Sequence, residues 1–138
     1  KEPAMKLNFG CGANILEGWR NLDLDRPHHY DRVDIKKPLP FLDGKVEMIL
    51  AEHICEHVIA ADCLRFFDEC RRVLKKDGVL RICVPVARVG LERGHLRDLI
   101  LGHGHMQVMS YEVLHTLFIA AGFTDHGETE ISTEGTRP

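Results

Sequence analysis

Two glycines flank a cysteine directly after the first apolar run of the chain, as Gly10-Cys11-Gly12. Glycine lets the backbone turn tightly and approach a ligand closely, and amide N–H groups in such a turn can bind that ligand. A dinucleotide fingerprint would carry glycine or alanine three positions beyond the second glycine, where this chain has Ile15. The segment predicts a glycine turn, and by itself it fits a bare turn as well as a ligand-binding one.

Polar residues follow the next apolar runs. Asp23 can accept two hydrogen bonds from ribose hydroxyls, as acidic residues of nucleotide-binding folds do, although a solvated aspartate is the simpler interpretation. The carboxylate of Asp34 and the backbone N–H of Ile35 could meet the edge of an adenine ring. Glu52 and His53 follow the fourth run. Each of these signals is weak, but together they would lie along one edge of a sheet.

The segment from His53 to His57 matches the H-x-x-E-H signature, with Glu56 as its acid. Two histidines four residues apart on a helix could share a zinc ion, and Glu56 could then act as a base for zinc-bound water. No carboxylate downstream offers an obvious third ligand, so a zinc hydrolase is a remote alternative and we predict no metal site. His53 and His105 instead remain candidates to orient, or take a proton from, a substrate, whereas the other histidines are predicted to lie on the surface.

Composition limits the class of protein. The chain has 138 residues, of which 44% are hydrophobic, and this fits a single domain over residues 1–138 with its own core. Its net charge of −3 argues against a nucleic-acid partner, and no apolar run is long enough to cross a membrane. Five cysteines without a C-x-x-C pair predict buried, reduced thiols and a cytoplasmic protein. Because the first residue is Lys1, we also expect a trimmed chain.

The elements that must position these residues are predicted from hydrophobic periodicity. Strands are predicted over residues 5–9, 20–24, 30–35, 46–51, 79–84 and 123–131. Helices are predicted over residues 60–76, with a stop at Gly78, and from an N-cap at Ser110 to Gly122. The polar tail from residue 132 is expected to fray. This alternation predicts a parallel α/β sheet, in which ligands bind beyond the carboxyl ends of the strands.

An ordered series of segments closely resembles the class I S-adenosylmethionine-dependent methyltransferases, in the small-molecule branch with N-L-G-C-G and P-L-P-F signatures. The resemblance is strong from about residue 6 to residue 85 and looser from 110 to 123. The segments that carry it are Leu7-Asn8-Phe9-Gly10-Cys11-Gly12, Gly18-Trp19-Arg20-Asn21-Leu22-Asp23-Leu24, Asp34-Ile35, Pro38-Leu39-Pro40-Phe41, Glu52-His53-Ile54-Cys55-Glu56-His57, Arg72-Val73-Leu74-Lys75-Lys76-Asp77-Gly78 and Arg81-Ile82-Cys83-Val84-Pro85.

The resemblance implies a Rossmann-like, mostly parallel sheet flanked by helices. It also implies S-adenosylmethionine as the cofactor, with its methionine part against the glycine turn (Gly10, Cys11 and Gly12) and its ammonium end near the backbone of Glu52. Asp23 would hold the ribose hydroxyls, Leu24 would pack on the adenine, and Asp34 and Ile35 would read its edge. Three residues depart from the family pattern: Asn8 replaces an acidic residue, Asp77 a glycine or proline, and Val86 an aspartate near the acceptor pocket.

Two further expectations concern activity and assembly. The function predicted is methyl transfer to a small polar metabolite, possibly related to sugars. The alternative is a module that binds the cofactor but is catalytically degenerate, because the acceptor region is short. The length leaves room for about six strands, with the last strand missing or short, so a second copy of the chain could cover an exposed sheet edge in a homodimer.

Overall fold

Seven strands and two helices form the described part of the chain, which comprises residues 4–24, 31–83, 111–128 and 133–137 of a computed structural model. The strands are β1 (Met5–Phe9), β2 (Arg20–Asp23), β3 (Asp31–Arg32), β4 (Val46–Glu52), β5 (Leu74–Cys83), β6 (Thr124–Glu128) and β7 (Thr133–Thr136). The helices are α1 (Ala60–Val73) and α2 (Tyr111–Ala120), and Cys55–His57 form one 3-10 turn. Within these ranges, no helix is long and apolar enough to cross a bilayer.

All seven strands join one sheet, in the order β3-β2-β1-β4-β5-β7-β6. The pairs from β3 to β5 are parallel, and β7 is antiparallel to both of its neighbours. The predicted α/β fold with a mostly parallel sheet is therefore confirmed. The chain builds outward from β1 to β3 and then crosses to β4 on the other side of β1. In such a sheet, a ligand cleft is expected at the carboxyl ends of β1 and β4.

The core joins the sheet to both helices through phenylalanine rings. Phe9 of β1 meets Phe66 of α1 edge to face at 5.2 Å, and Phe67 of α1 meets Phe118 of α2 at 5.0 Å. All four rings are buried. Such pairs contribute about 0.5–1.5 kcal/mol beyond the area that they bury. The rings therefore fix β1, which leads into the glycine turn, against both helices.

The junction between α1 and β5 differs from the prediction, because the helix ends at Val73 and not at residue 76. Leu74 already has extended backbone angles, is fully buried and pairs with Val46 of β4. Burial of this leucine in the sheet thus overrides the helical charge pattern that follows it. Gly78 is needed for close packing and not as a helix stop, since an added Cβ would lie 2.9 Å from the carbonyl oxygen of Lys75.

The end of the chain forms a strand, although its sequence is polar and was predicted to fray. The four residues of β7 lie between β5 and β6, so the last strand is present and short. Two backbone hydrogen bonds extend the pairing, from Asp77 N–H to Arg137 O at 2.9 Å and from Arg137 N–H to Gly78 O at 3.0 Å. The side chain of Arg137 also donates to the carbonyl of Leu74. Backbone pairing with β5, which needs no apolar side chains, holds this segment.

Candidate functional site

The glycine turn after β1 is in contact with the segment that follows β4. Gly10 has a φ of +64°, a region that side chains disfavour. An added Cβ at Gly10 would lie only 2.0 Å from Cγ2 of Ile54. Gly12 also has a positive φ, +48°, but its Cβ would meet nothing within 4 Å. Gly10 is therefore required by both backbone conformation and packing, whereas Gly12 is required by conformation alone.

Asp23, at the end of β2, holds the glycine turn directly. Its Oδ2 accepts a hydrogen bond from the Gly12 N–H at 2.7 Å, and the Cys11 N–H donates to the carbonyl of Leu22 at 3.2 Å. A carboxylate has about four lone-pair sites, so Asp23 can accept further hydrogen bonds from a ligand. Burial and the charge of Asp23 both raise the pKa of the Cys11 thiol. Cys11 is therefore a neutral thiol and not an activated nucleophile.

Two asparagines fix the rest of the loop between β1 and β2. Buried Asn8 donates from Nδ2 to the carbonyl of Asn14 and to Oδ1 of Asn21, both at 2.9 Å. Asn21 also accepts from the Leu16 N–H and donates to the carbonyls of Leu16 and Trp19. Sequence reasoning missed the role of Asn21. The sequence shows only an asparagine in each of the first two predicted strands, and their pairing in register became visible in the structure.

This network explains why position 8 departs from the acidic residue of the resembled family. We expect Asn8→Asp to lower the free energy of unfolding at pH 7 by roughly 2–4 kcal/mol, because a buried carboxylate would face two acceptor oxygens that now receive N–H groups. The same contacts would raise the pKa of the new carboxyl group. The loss should therefore shrink as the pH falls and the group becomes protonated, which urea unfolding between pH 4 and pH 8 would measure. Asn8→Leu, which has no charge, is the control, and an equal loss at every pH for both variants would contradict this explanation.

A cleft of about 490 Å³ opens at the carboxyl ends of β1 and β4, as the sheet topology predicts. Six of the predicted site residues line it: Gly10, Asp23, Leu24, Asp34, Ile35 and His53. The lining also includes Phe9, Val33, Lys36, Ile54, His57 and Val58. Cys11, Gly12 and Glu52 do not line it, although Gly12 bonds to Asp23 and Glu52 is half-buried at the end of β4. The fold therefore brings together residues from four neighbouring strands.

Residues 33–36 form one side of this cleft and are called the β3 wall below. The N–H of Val33 donates to the carbonyl of Asp23 at 3.1 Å, which joins the wall to β2. Asp34 folds the wall into a turn, because its Oδ1 accepts the N–H of Lys36 at 3.0 Å and its carbonyl accepts the N–H of Lys37 at 3.1 Å. Leu24, which is 45% exposed, presents an apolar side chain to the same space.

The histidines lie on the opposite side of the cleft. His53 has a φ of +53° and its N–H donates to the carbonyl of Cys83 at 2.6 Å, while His57 lies in the 3-10 turn. The H-x-x-E-H signature requires two histidines on one helical face. The left-handed backbone at His53 means that the two histidines do not share such a face. Among the described residues, no group of three or more His, Cys, Asp or Glu could hold a metal ion. His105 lies outside the described residues.

The geometry defines an α/β fold with an open cleft at the carboxyl ends of its parallel strands. A carboxylate suited to ribose hydroxyls, that of Asp23, lines the cleft beside Leu24 and accepts the N–H of Gly12 in the glycine turn. Asp34 and Ile35 on the β3 wall could meet a base. The residues present thus fit the S-adenosylmethionine that the sequence implies, along an edge of four strands spaced about 4.8 Å apart.

Comparison with known proteins identifies the family. Residues 13–82 match the methyltransferase domain family. A protein of Mycobacterium tuberculosis strain H37Rv, named as a probable S-adenosylmethionine-dependent methyltransferase, is 32% identical over 100 residues. The chain therefore belongs to the S-adenosylmethionine-dependent methyltransferase family, whose cofactor is S-adenosylmethionine. The match covers 70% of this chain but 35% of that protein, so the chain spans about a third of the length of the curated relatives that it matches.

Solved structures agree on the fold. A SAM-dependent methyltransferase of Thermotoga maritima, a possible histamine N-methyltransferase, superposes with a TM-score of 0.74 at 16% identity, covering 100% of this chain and 84% of that chain. The pyocyanin biosynthetic protein PhzM superposes with a TM-score of 0.72 at 16% identity, covering 98% of this chain and 50% of that chain. At such low identities these matches establish the shared fold alone. They confirm the class I methyltransferase fold predicted from the sequence.

Proposed function

We propose that this chain binds S-adenosylmethionine in the cleft at β1 and β4 and transfers its methyl group to a small polar metabolite. The contact between Asp23 and the glycine turn carries this proposal, since it joins a ribose-binding carboxylate to a turn that can approach a ligand closely. Bound S-adenosylmethionine supplies a methyl group on a sulfonium, which is already a strong electrophile. The protein has mainly to hold a nucleophile in line, about 3–3.5 Å from that carbon.

Each side of the cleft has its own task in this proposal. Asp23 accepts the ribose hydroxyls, Leu24 packs on the adenine, and the β3 wall meets the adenine edge with Asp34 and Ile35. The glycine turn and the backbone near Glu52 face the methionine part. His53, on the β4 side of the cleft, orients the acceptor or takes its proton, and His105 is proposed for the same task.

The acceptor class follows from the residues after β4. Ala51-Glu52-His53 stand where enzymes that methylate amino groups of nucleic-acid bases carry a run of the N-P-P-Y type, and the net charge is −3. Both observations favour a small acceptor over a nucleic acid, and a sugar-related metabolite is one candidate. The five cysteines, which are all buried and form no disulfide, support a reducing, cytoplasmic location. The edge of β6 supports a homodimer in which a second copy covers that strand.

A thermal-shift titration tests cofactor binding. S-adenosylmethionine or S-adenosylhomocysteine at ~100 times its dissociation constant should stabilise the protein by about 2.7 kcal/mol, a rise in Tm of roughly 5–10 °C. Methionine alone, which lacks the adenosine, is the control and should shift the Tm far less. Release of S-adenosylhomocysteine across a panel of hydroxyl, carboxyl and amino acceptors then tests transfer. No shift with either ligand would contradict the proposal, and binding without turnover would favour the catalytically degenerate alternative.

A further inference from the structure

Arg72, near the end of α1, donates a hydrogen bond from each of its five N–H groups. Nε donates to Oε2 of Glu69 at 2.7 Å, and Nη2 donates to Oε1 of the same carboxylate at 3.0 Å. The remaining three hydrogens go to the carbonyls of Phe41 and Leu39, at 2.9 and 3.0 Å, and to Oδ1 of Asp43, at 2.6 Å. A guanidinium group with all five N–H donors bonded is held in one position. A lysine, with three donors, cannot reproduce this set of hydrogen bonds.

The segment that Arg72 holds, residues 39–43, is called the clamped loop. It is also bound to α1 through its own backbone, because the Leu39 N–H donates to Oε1 of Glu69 at 2.8 Å. The Gly44 N–H donates to the carbonyl of Arg72 at 3.0 Å, which closes the end of the loop. Hydrogen bonding to Arg72 lowers the pKa of Glu69, so this carboxylate stays ionised in its contact with the guanidinium group. The clamped loop is thus fixed to α1 at both of its ends.

The β3 wall ends two residues before the clamped loop, and it packs on the core through buried Val33 and partly buried Ile35. Strand β3 before it is only two residues long and lies at the edge of the sheet. The clamped loop reaches back to this strand through Arg20, which lies 5.3 Å from the Phe41 ring and pairs with Asp31 at 2.5 Å. Arg65 of α1 also reaches the Lys36 carbonyl at 3.5 Å. The β3 wall is therefore linked to α1 both directly and through the clamped loop, in addition to its own packing in the core.

We propose that Arg72 is a positioning residue for the cofactor: by gripping the clamped loop, it holds the β3 wall where Asp34 and Ile35 can meet the adenine. This proposal rests on the proposed function, which supplies the ligand, S-adenosylmethionine. The positioning role itself is argued from the contacts of Arg72. Arg72 does not line the cleft, so its effect must pass through the loop. Loosening the grip would let the β3 wall occupy positions that cannot bind the cofactor, and the dissociation constant would rise by the inverse of the competent fraction.

The test compares the wild-type protein with Arg72→Lys, Asp43→Ala and Val73→Ala. Val73 is the matched control, since it is the next residue of α1, is fully buried and packs in the core. Calorimetric titration with S-adenosylhomocysteine should give about a tenfold weaker dissociation constant for Arg72→Lys, as expected if the competent fraction falls to roughly 0.1. Asp43→Ala removes one exposed hydrogen bond of Arg72 and keeps the fold. It should weaken binding of S-adenosylhomocysteine about threefold. Val73→Ala should lower the Tm and leave the dissociation constant unchanged.

Amide hydrogen exchange provides a readout that needs no ligand. In Arg72→Lys, the amides of Lys36 and Lys37, which bond to Asp34, should exchange about tenfold faster relative to the amides within α1. In Val73→Ala this ratio should stay at the wild-type value. Unchanged exchange in Arg72→Lys, or a dissociation constant that follows Tm equally in all three variants, would overturn the positioning role. A wild-type protein that binds no S-adenosylhomocysteine would instead overturn the proposed function, while the exchange result would still decide whether Arg72 holds the wall.

Discussion

Gly10→Ala should lower the free energy of unfolding by roughly 2–6 kcal/mol, a large part of the stability of a domain this size. About 1–3 kcal/mol would come from forcing a side chain into the backbone conformation at φ +64°. A further 1–3 kcal/mol would come from the collision with Ile54, whose Cγ2 lies 2.0 Å from the position of the new Cβ. Urea unfolding at neutral pH would measure the change.

Two companion variants separate these causes. Gly12→Ala adds a Cβ at φ +48° with nothing within 4 Å, so it should lose only the conformational part. Ile54→Ala removes the colliding methyl group, so Gly10→Ala should cost less in that background, with a coupling energy of roughly 1–3 kcal/mol. If Gly10→Ala costs no more than Gly12→Ala, the packing of the glycine turn against Ile54 is not as described.

Asp23→Ala should weaken binding of S-adenosylhomocysteine by at least about 100-fold. Two hydrogen bonds from ribose hydroxyls to a carboxylate contribute about 1.5–3 kcal/mol each, and each 1.4 kcal/mol is a factor of ten in the dissociation constant. The variant also loses the 2.7 Å bond from the Gly12 N–H, so the turn itself would loosen. Calorimetric titration gives the affinity and thermal unfolding gives the stability.

Asp23→Asn separates the two roles of this carboxylate. The amide oxygen can still accept the Gly12 N–H, so the Tm should recover most of its wild-type value, whereas the affinity should stay at least about tenfold weaker. Asp68→Ala, which removes an exposed aspartate of α1 that does not line the cleft, is the matched control for the change in charge and should bind normally. Wild-type affinity in both Asp23 variants would remove the ribose-binding role.

Local patterns were enough to predict most elements of the sheet. The strand at Met5–Phe9 has the predicted bounds, and β4 extends the prediction by one residue, because short, mostly apolar runs ended by glycine or charge permit few alternatives. The bounds of α1 were less predictable. The residues after Val73 have helical character in sequence, but Leu74 is buried in the sheet beside Val46, and that burial ends the helix. Pairing with β5, which is distant in the chain, likewise makes the polar segment of β7 a strand.

The sequence by itself determined the family, the cofactor and the residues that follow each strand, since these depend on residue types in a fixed order. The tertiary structure alone decided which of them meet: Asp23 bonds to Gly12, Gly10 touches Ile54, and Arg72 holds the clamped loop 39–43. The physical reason is that a hydrogen bond or a close approach forms only when two segments far apart in sequence are placed to within a few tenths of an ångström. Periodicity and spacing describe each segment, but only the packed sheet fixes the distance from one segment to another.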